Sequence, residues 1–190
     1  MSEIRILSRE EIEPRRWNGC VYYALNSRMY GYTWYLDNVC DEWFGIVENE
    51  YESVFPVVWK YKKYIGYKEI YQPPLTQQLG LFSMHVCSPT RLKWFIDALP
   101  ADIRRVDMQL NFDNSAVQAL HQHEGWQVST RPNFVLPLSR PYEDLAAAYN
   151  SNLRRKLRKC EKLGLFCTTD IRPETFVDEM RAFHRRANTG

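Results

Sequence analysis

The pattern of the chain changes at Ser139–Arg140–Pro141, and that change most limits what the sequence can fold into. Residues 1–138 alternate β-branched and aromatic runs with segments of helical spacing, enough for a complete layered domain. Residues 139–190 offer only a basic helical stretch, one short strand and a final helix. Leu145, Tyr149, Leu153, Leu157 and Cys160 recur at spacings of three and four, with Ser151 as a cap inside the stretch. Leu165–Thr168 reads as a strand, and Pro173 opens a helix with Phe176, Met180, Phe183 and Ala187 on one face. One strand and two amphipathic helices cannot bury their own apolar faces. The expectation is a second unit that has only begun, packed on the first domain, on a partner or on further sequence.

Within the first domain, Ile4–Leu7 reads as a strand, and a helix begins over Ser8–Glu13 and carries Trp17, Val21, Ala24 and Leu25. Tyr32–Val39 reads as a loop and Phe44–Val47 as a strand. Val54–Tyr64 and Tyr67–Tyr71 form paired strands. Pro89 opens a helix that Pro100 closes, Val106–Leu110 is a strand, and Asn114–Glu124 is a short helix ended by Gly125. Trp126–Thr130 and Phe134–Leu138 complete a strand pair. The fold class is therefore α/β.

No apolar run approaches the ~20 residues of a membrane span, and the first residues carry no signal core, so a cytoplasmic protein is expected. The five cysteines are scattered, with no metal spacing among them, which argues for reduced thiols and no structural zinc. The net charge of +2 hides an asymmetry: residues 1–50 hold nine acidic and five basic side chains, residues 151–190 ten basic and five acidic. Aromatic residues make up 14%, enough for a large core or for a groove that grips a sizeable ligand.

Four stretches could carry chemistry. Tyr71–Phe82 contains Pro73–Pro74 and the uncharged polar residues Gln72, Thr76, Gln77 and Gln78, a stiff amide-lined loop suited to a neutral polar ligand or, more blandly, to capping free backbone groups. Trp34, among the aromatics of Tyr30–Asp37, and Lys60 would form a groove for an anionic, partly apolar substrate, unless these rings are core. Asp107–Trp126 reads as strand, capped helix, glycine and strand, with His121 and His123 on exposed helix positions. Ser151–Lys162 places six cations against one anion, and Arg154, Arg155 and Arg158 are the best anchors for phosphates, the alternative being a solvated helix face.

Three resemblances follow. Gln77–x–x–Gly80–x–Phe82 half matches the acyl-CoA acetyltransferase loop Q/R-x-x-G-x-G/A, but Phe82 stands where a small residue should be, so no cofactor is expected. Asp107–Trp126 is similar to the closing portion of an acetyltransferase (GNAT) domain, with His121 in place of the tyrosine that protonates the leaving thiolate. Asn152–Gly164 resembles the arginine-rich linking helix of the Fem-type (FemAB-like) peptidyltransferases, Trp34–Tyr35–Leu36 resembles their early x-W-L element, and Val54–Val57 with the glutamine loop is similar to a bacterial branch.

That resemblance implies two GNAT-like units in tandem: an acceptor-side subdomain over residues 1–138, and the start of an incomplete second unit over 139–190. It implies an acyl- or aminoacyl-transferase in which the amine of a peptidoglycan precursor attacks an activated ester, commonly an aminoacyl-tRNA, without a covalent enzyme intermediate. No catalytic residue can be named, and this portion is expected to be inactive alone. The competing expectation is a non-enzymatic GNAT-like module that binds RNA or a protein through residues 151–162.

Overall fold

The computed structural model describes residues 2–122 and 125–187, the side chains of 116, 119–122, 184, 186 and 187 excepted. It divides into two compact units, Met1–Arg131 and Pro132–Gly190. No helix among the described residues is long and apolar enough to cross a membrane.

The first unit is an open mixed sheet flanked by helices. Strand β1 (Ile4–Ser8) leads through helices α1 (Pro14–Tyr23) and α2 (Thr33–Val39) to β2 (Trp43–Glu48), β3 (Ser53–Lys62) and β4 (Tyr67–Ile70). Strand β5 (Phe82–Ser83), helix α3 (Pro89–Asp97) and strand β6 (Ile103–Val106) follow, and then a 3-10 stretch over Phe112–Gln122. The sheet order is β1-β2-β3-β4-β6, with β5 paired to β3. The first four strands are antiparallel neighbours, and β4 and β6 run parallel because α3 carries the chain back between them.

Alternation along β3 builds two cores. Val54 and Val58 join Trp17, Val21, Leu36 and Phe82 on one face. Phe55 and Val57 join Ile46, Ile70, Leu92 and Phe95 on the other. The Trp17 indole is fully buried and donates to Gly31 O at 2.7 Å. Burying each such side chain contributes about 1.5–3 kcal/mol.

Tyr32–Val39 is not a loop. Its last seven residues form α2, whose first amide is capped from another helix: Asn18 Oδ1 accepts from Thr33 N at 2.9 Å. The first helix starts at Pro14, not within Ser8–Glu13, since the Glu11 and Ile12 amides are held in a turn by Ser8 O. The strand expected at Val106–Leu110 lies earlier, at Ile103–Val106; beyond it Leu110 keeps only an isolated parallel bridge to Leu79. The expected helix Asn114–Glu124 is the 3-10 stretch, kinked at Asn114; His123 lies outside the described residues. Trp126–Thr130 and Phe134–Leu138 are not strands: they have the right composition but no partner strand, and Phe134, Val135, Leu136 and Leu138 stay exposed.

The second unit holds helices α4 (Tyr142–Ala147), α5 (Ser151–Lys162) and α6 (Pro173–Ala187). Asn150, not Ser151, caps α5, its side chain accepting from Leu153 N at 2.8 Å. Leu165–Thr168 is not a strand, because the Leu165 amide turns back to Cys160 O at 3.0 Å across Gly164, whose φ is 65°. That is the left-handed closure typical of a helix end. None of the described residues of this unit is buried.

Candidate functional site: a cleft at the sheet end

A cleft of about 460 Å³ opens at one end of the first unit's sheet, within the size range of small-ligand sites. Its lining comes from the end of β1 (Ile6, Ser8), the α2 terminus, the start of β2 (Trp43, Phe44), Trp59 on β3, Lys68 on β4 and the Pro100–Ile103 turn. Register explains part of the convergence. Ser8 pairs with Phe44, and Trp59 pairs with Ile70, so Ile6, Ser8, Phe44, Trp59 and Lys68 share the face that α3 covers only in part, while Trp43 packs in the core on the opposite face. Ile6 is left 47% exposed there.

The walls are aromatic and the charge is unbalanced. Trp43 is buried, and its Nε1 donates to Asp37 Oδ1 at 2.9 Å. Arg9 donates to both Asp37 oxygens at 2.6 Å and lies 5.4 Å from the Trp43 ring centroid. This fork holds the Asp37 carboxyl below its ordinary range and raises the Arg9 guanidinium. Lys68 sits 4.7 Å over the Trp59 ring and 2.7 Å from Asp102, whose carboxyl it lowers. Burial pushes the Cys40 thiol up to about 12, so it is no nucleophile at neutral pH.

Five carboxylates (Glu10, Asp37, Asp41, Glu42, Asp102) therefore face two cations, and both cations are already paired. The excess is three negative charges. No three His, Cys, Asp or Glu side chains among the described residues come close enough to hold a metal ion. The charge is spread along a rim that also exposes Ile6, an arrangement that suits an organic cation with an apolar stem.

None of the ten residues picked from the sequence lines this cleft. Lys60 lies 4.2 Å over the Tyr71 ring and 3.1 Å from Glu69, which it shares with Lys62. Burial works to raise the Glu69 carboxyl, but the two lysines outweigh it and hold the group low. Burial raises the Tyr71 phenol, with the charges of Cys40 and Asp41 adding to it. Trp34 is half-exposed on α2, its ring beside Tyr32 and Tyr35. Tyr35 reaches the glutamine loop, donating to Leu75 O at 2.7 Å.

Inside that loop the polar groups hold the chain in shape. Gln72 donates to Thr76 O at 2.8 Å and accepts from Gln109 N at 3.0 Å, and Thr76 donates to Pro74 O. Gln77 is exposed, while Gln78 is buried with its Oε1 unpartnered. The acetyltransferase-like part, Gln77 to Phe82, leads into strand β5, and the Leu79 and Leu81 amides are engaged by Gln109 O and Asn114 Oδ1. On α5, Arg154 donates to Ala147 O at 2.7 Å and Arg155 to Asn152 Oδ1 at 3.1 Å; Arg158 is exposed.

The cleft residues went unread because they are dispersed over six elements and the turns between them. One signal did point there. The acidic excess of residues 1–50 is the source of Glu10, Asp37, Asp41 and Glu42. No family model matches the chain, and neither does any curated protein or solved structure.

Proposed function

We propose that the chain is the acceptor-side part of a GNAT-like, Fem-type acyl- or aminoacyl-transferase, and that the cleft receives the amine acceptor. The observation that carries this reading is the cleft itself. Surplus carboxylates beside the exposed side chain of Ile6 fit a primary ammonium on an alkyl stem, such as the side-chain amine of a cell-wall precursor. Further support comes from the mixed sheet with helices on both faces, which is compatible with the layered GNAT-like arrangement.

The chemistry asked of this part is modest. An amine held as ammonium is oriented by the surplus carboxylates, then loses a proton before attacking the activated ester. Glu10, Asp41 and Glu42 are the exposed carboxylates of the cleft with no ion pair among the described residues, so they can take that proton. The reaction needs positioning more than a nucleophile on the protein. The alternative, RNA or protein binding through α5, rests on three exposed guanidiniums, of which Arg154 gives one donor to Ala147 O and Arg155 one to Asn152 Oδ1.

Calorimetric titration tests the reading with a lysine-terminated muropeptide and its Nε-acetylated form. The free amine should bind at least about tenfold tighter, a difference of about 1.4 kcal/mol. Asp41→Asn with Glu42→Gln should erase most of that preference. Equal affinity for the two peptides, or binding by neither, overturns the assignment.

A further inference from the structure

The hairpin joining β3 to β4 reads Lys60–Tyr61–Lys62–Lys63–Tyr64–Ile65–Gly66–Tyr67–Lys68, and the cleft uses only its last residue. The turn is tight: the Ile65 and Gly66 amides both donate to Lys62 O, at 3.0 and 2.8 Å, and Gly66 has a φ of 77°. Closing so sharply leaves the tip without packing. Tyr64 is fully exposed, Ile65 is 68% exposed and Tyr61 is 55% exposed. Lys60 and Lys62 share Glu69, whereas Lys63 has no ion pair among the described residues.

Two adjacent large apolar side chains at a convex tip, ringed by lysines, carry a specific pair of demands. The apolar pair needs a soft medium that admits a small wedge, and the lysines need anions around its rim. A nucleic acid meets the second demand but not the first, since bases stack on flat aromatic platforms in grooves and aliphatic Ile65 offers none. A bilayer interface meets both, with tyrosine at headgroup depth and lysines snorkelling to phosphates. We propose that the hairpin tip docks on an anionic lipid bilayer, with Tyr64 and Ile65 inserted and Lys62 and Lys63 among the headgroups. The tip shares no residue with the carboxylates of the cleft, so this surface stands or falls independently of the acceptor reading.

Co-sedimentation of the whole chain with vesicles tests it, using phosphatidylcholine alone and phosphatidylcholine mixed with phosphatidylglycerol. Retention is expected on the mixed vesicles only, weakening with salt. Tyr64→Ser with Ile65→Ser should weaken retention about tenfold or more, and Lys63→Glu about tenfold. All three side chains are exposed, so circular dichroism should report unchanged folding. A control pair, Arg154→Glu with Arg155→Glu, should leave retention near the wild-type level. Absence of retention overturns the proposal, as does retention that the tip variants keep and the α5 variants lose. Tip-dependent binding of single-stranded RNA without vesicle binding would make the surface one for nucleic acid instead.

Discussion

Gly80 has a φ of 103°, and a Cβ there would lie 2.4 Å from Asn114 Oδ1 and 2.8 Å from Leu110 Cδ2. The Asn114 oxygen is not free to yield, because it accepts from Leu81 N at 2.8 Å in a buried setting. At the other end of the same residue, Leu81 O accepts from the side-chain amides of Asn26, Asn111 and Asn114, at 2.7, 3.2 and 3.1 Å. Three asparagines from two distant segments thus clamp one residue between the glutamine loop and β5. Gly80→Ala combines backbone strain of about 1–3 kcal/mol with loss of a buried hydrogen bond, about 1–3 kcal/mol more. A destabilisation of about 3 kcal/mol is expected in urea unfolding. Asn114→Ala should also destabilise, and the double variant should fall short of the sum of the singles because the two act on one contact. Strict additivity would separate the glycine from the clamp.

Helix α2 shows the same dependence on distant partners at the scale of an element. Its N-cap residue, Tyr32, makes no side-chain capping bond, and the cap comes from Asn18 on α1. A reading along the chain sees only a run of aromatics around Gly31 and misses the helix. Strands β3 and β4 were legible because their β-branched and aromatic runs are local and each finds its neighbour across a short turn. The stretch 126–138 has similar composition, but no partner strand confirms it. The cleft was illegible for a related reason: Arg9, Asp37 and Trp43 form one constellation only after β1, α2 and β2 have packed. That constellation also fastens the β1–α1 turn to α2, and its stability depends on pH. The Asp37 carboxyl is lowered, chiefly by the Arg9 fork, so its contribution is present above the unfolded carboxylate pKa of about 3.9 and disappears as pH falls through the folded value. Asp37→Asn should therefore lower the urea midpoint at pH 7, and the gap from wild type should close as pH drops from about 5 toward 2. A gap that stays constant with pH would assign the loss to packing and not to charge.

Cooperative unfolding of the whole molecule should reside in the first unit. Both apolar clusters lie within residues 1–131, on the two faces of one sheet, with Phe95 stacked on Phe55 at a centroid distance of 6.0 Å. The second unit has helices with strong apolar stripes but no buried residue among those described, and Leu153 and Leu157 on α5 are each 38% exposed. Helices of this length gain most of their stability from packing, not from intrinsic propensity. A buried phenylalanine cut to alanine costs about 3–5 kcal/mol, a large part of the 5–15 kcal/mol that holds a typical domain together. Phe95→Ala should accordingly lower the main calorimetric transition steeply. Leu157→Ala should move it by less than the ~0.5 kcal/mol usual for surface sites. A large effect of Leu157→Ala would show that α5 is packed against a core when the molecule unfolds. In that event the basic helix would be an integral layer of the domain, and the expectation of a second, unfinished unit would lose its physical basis.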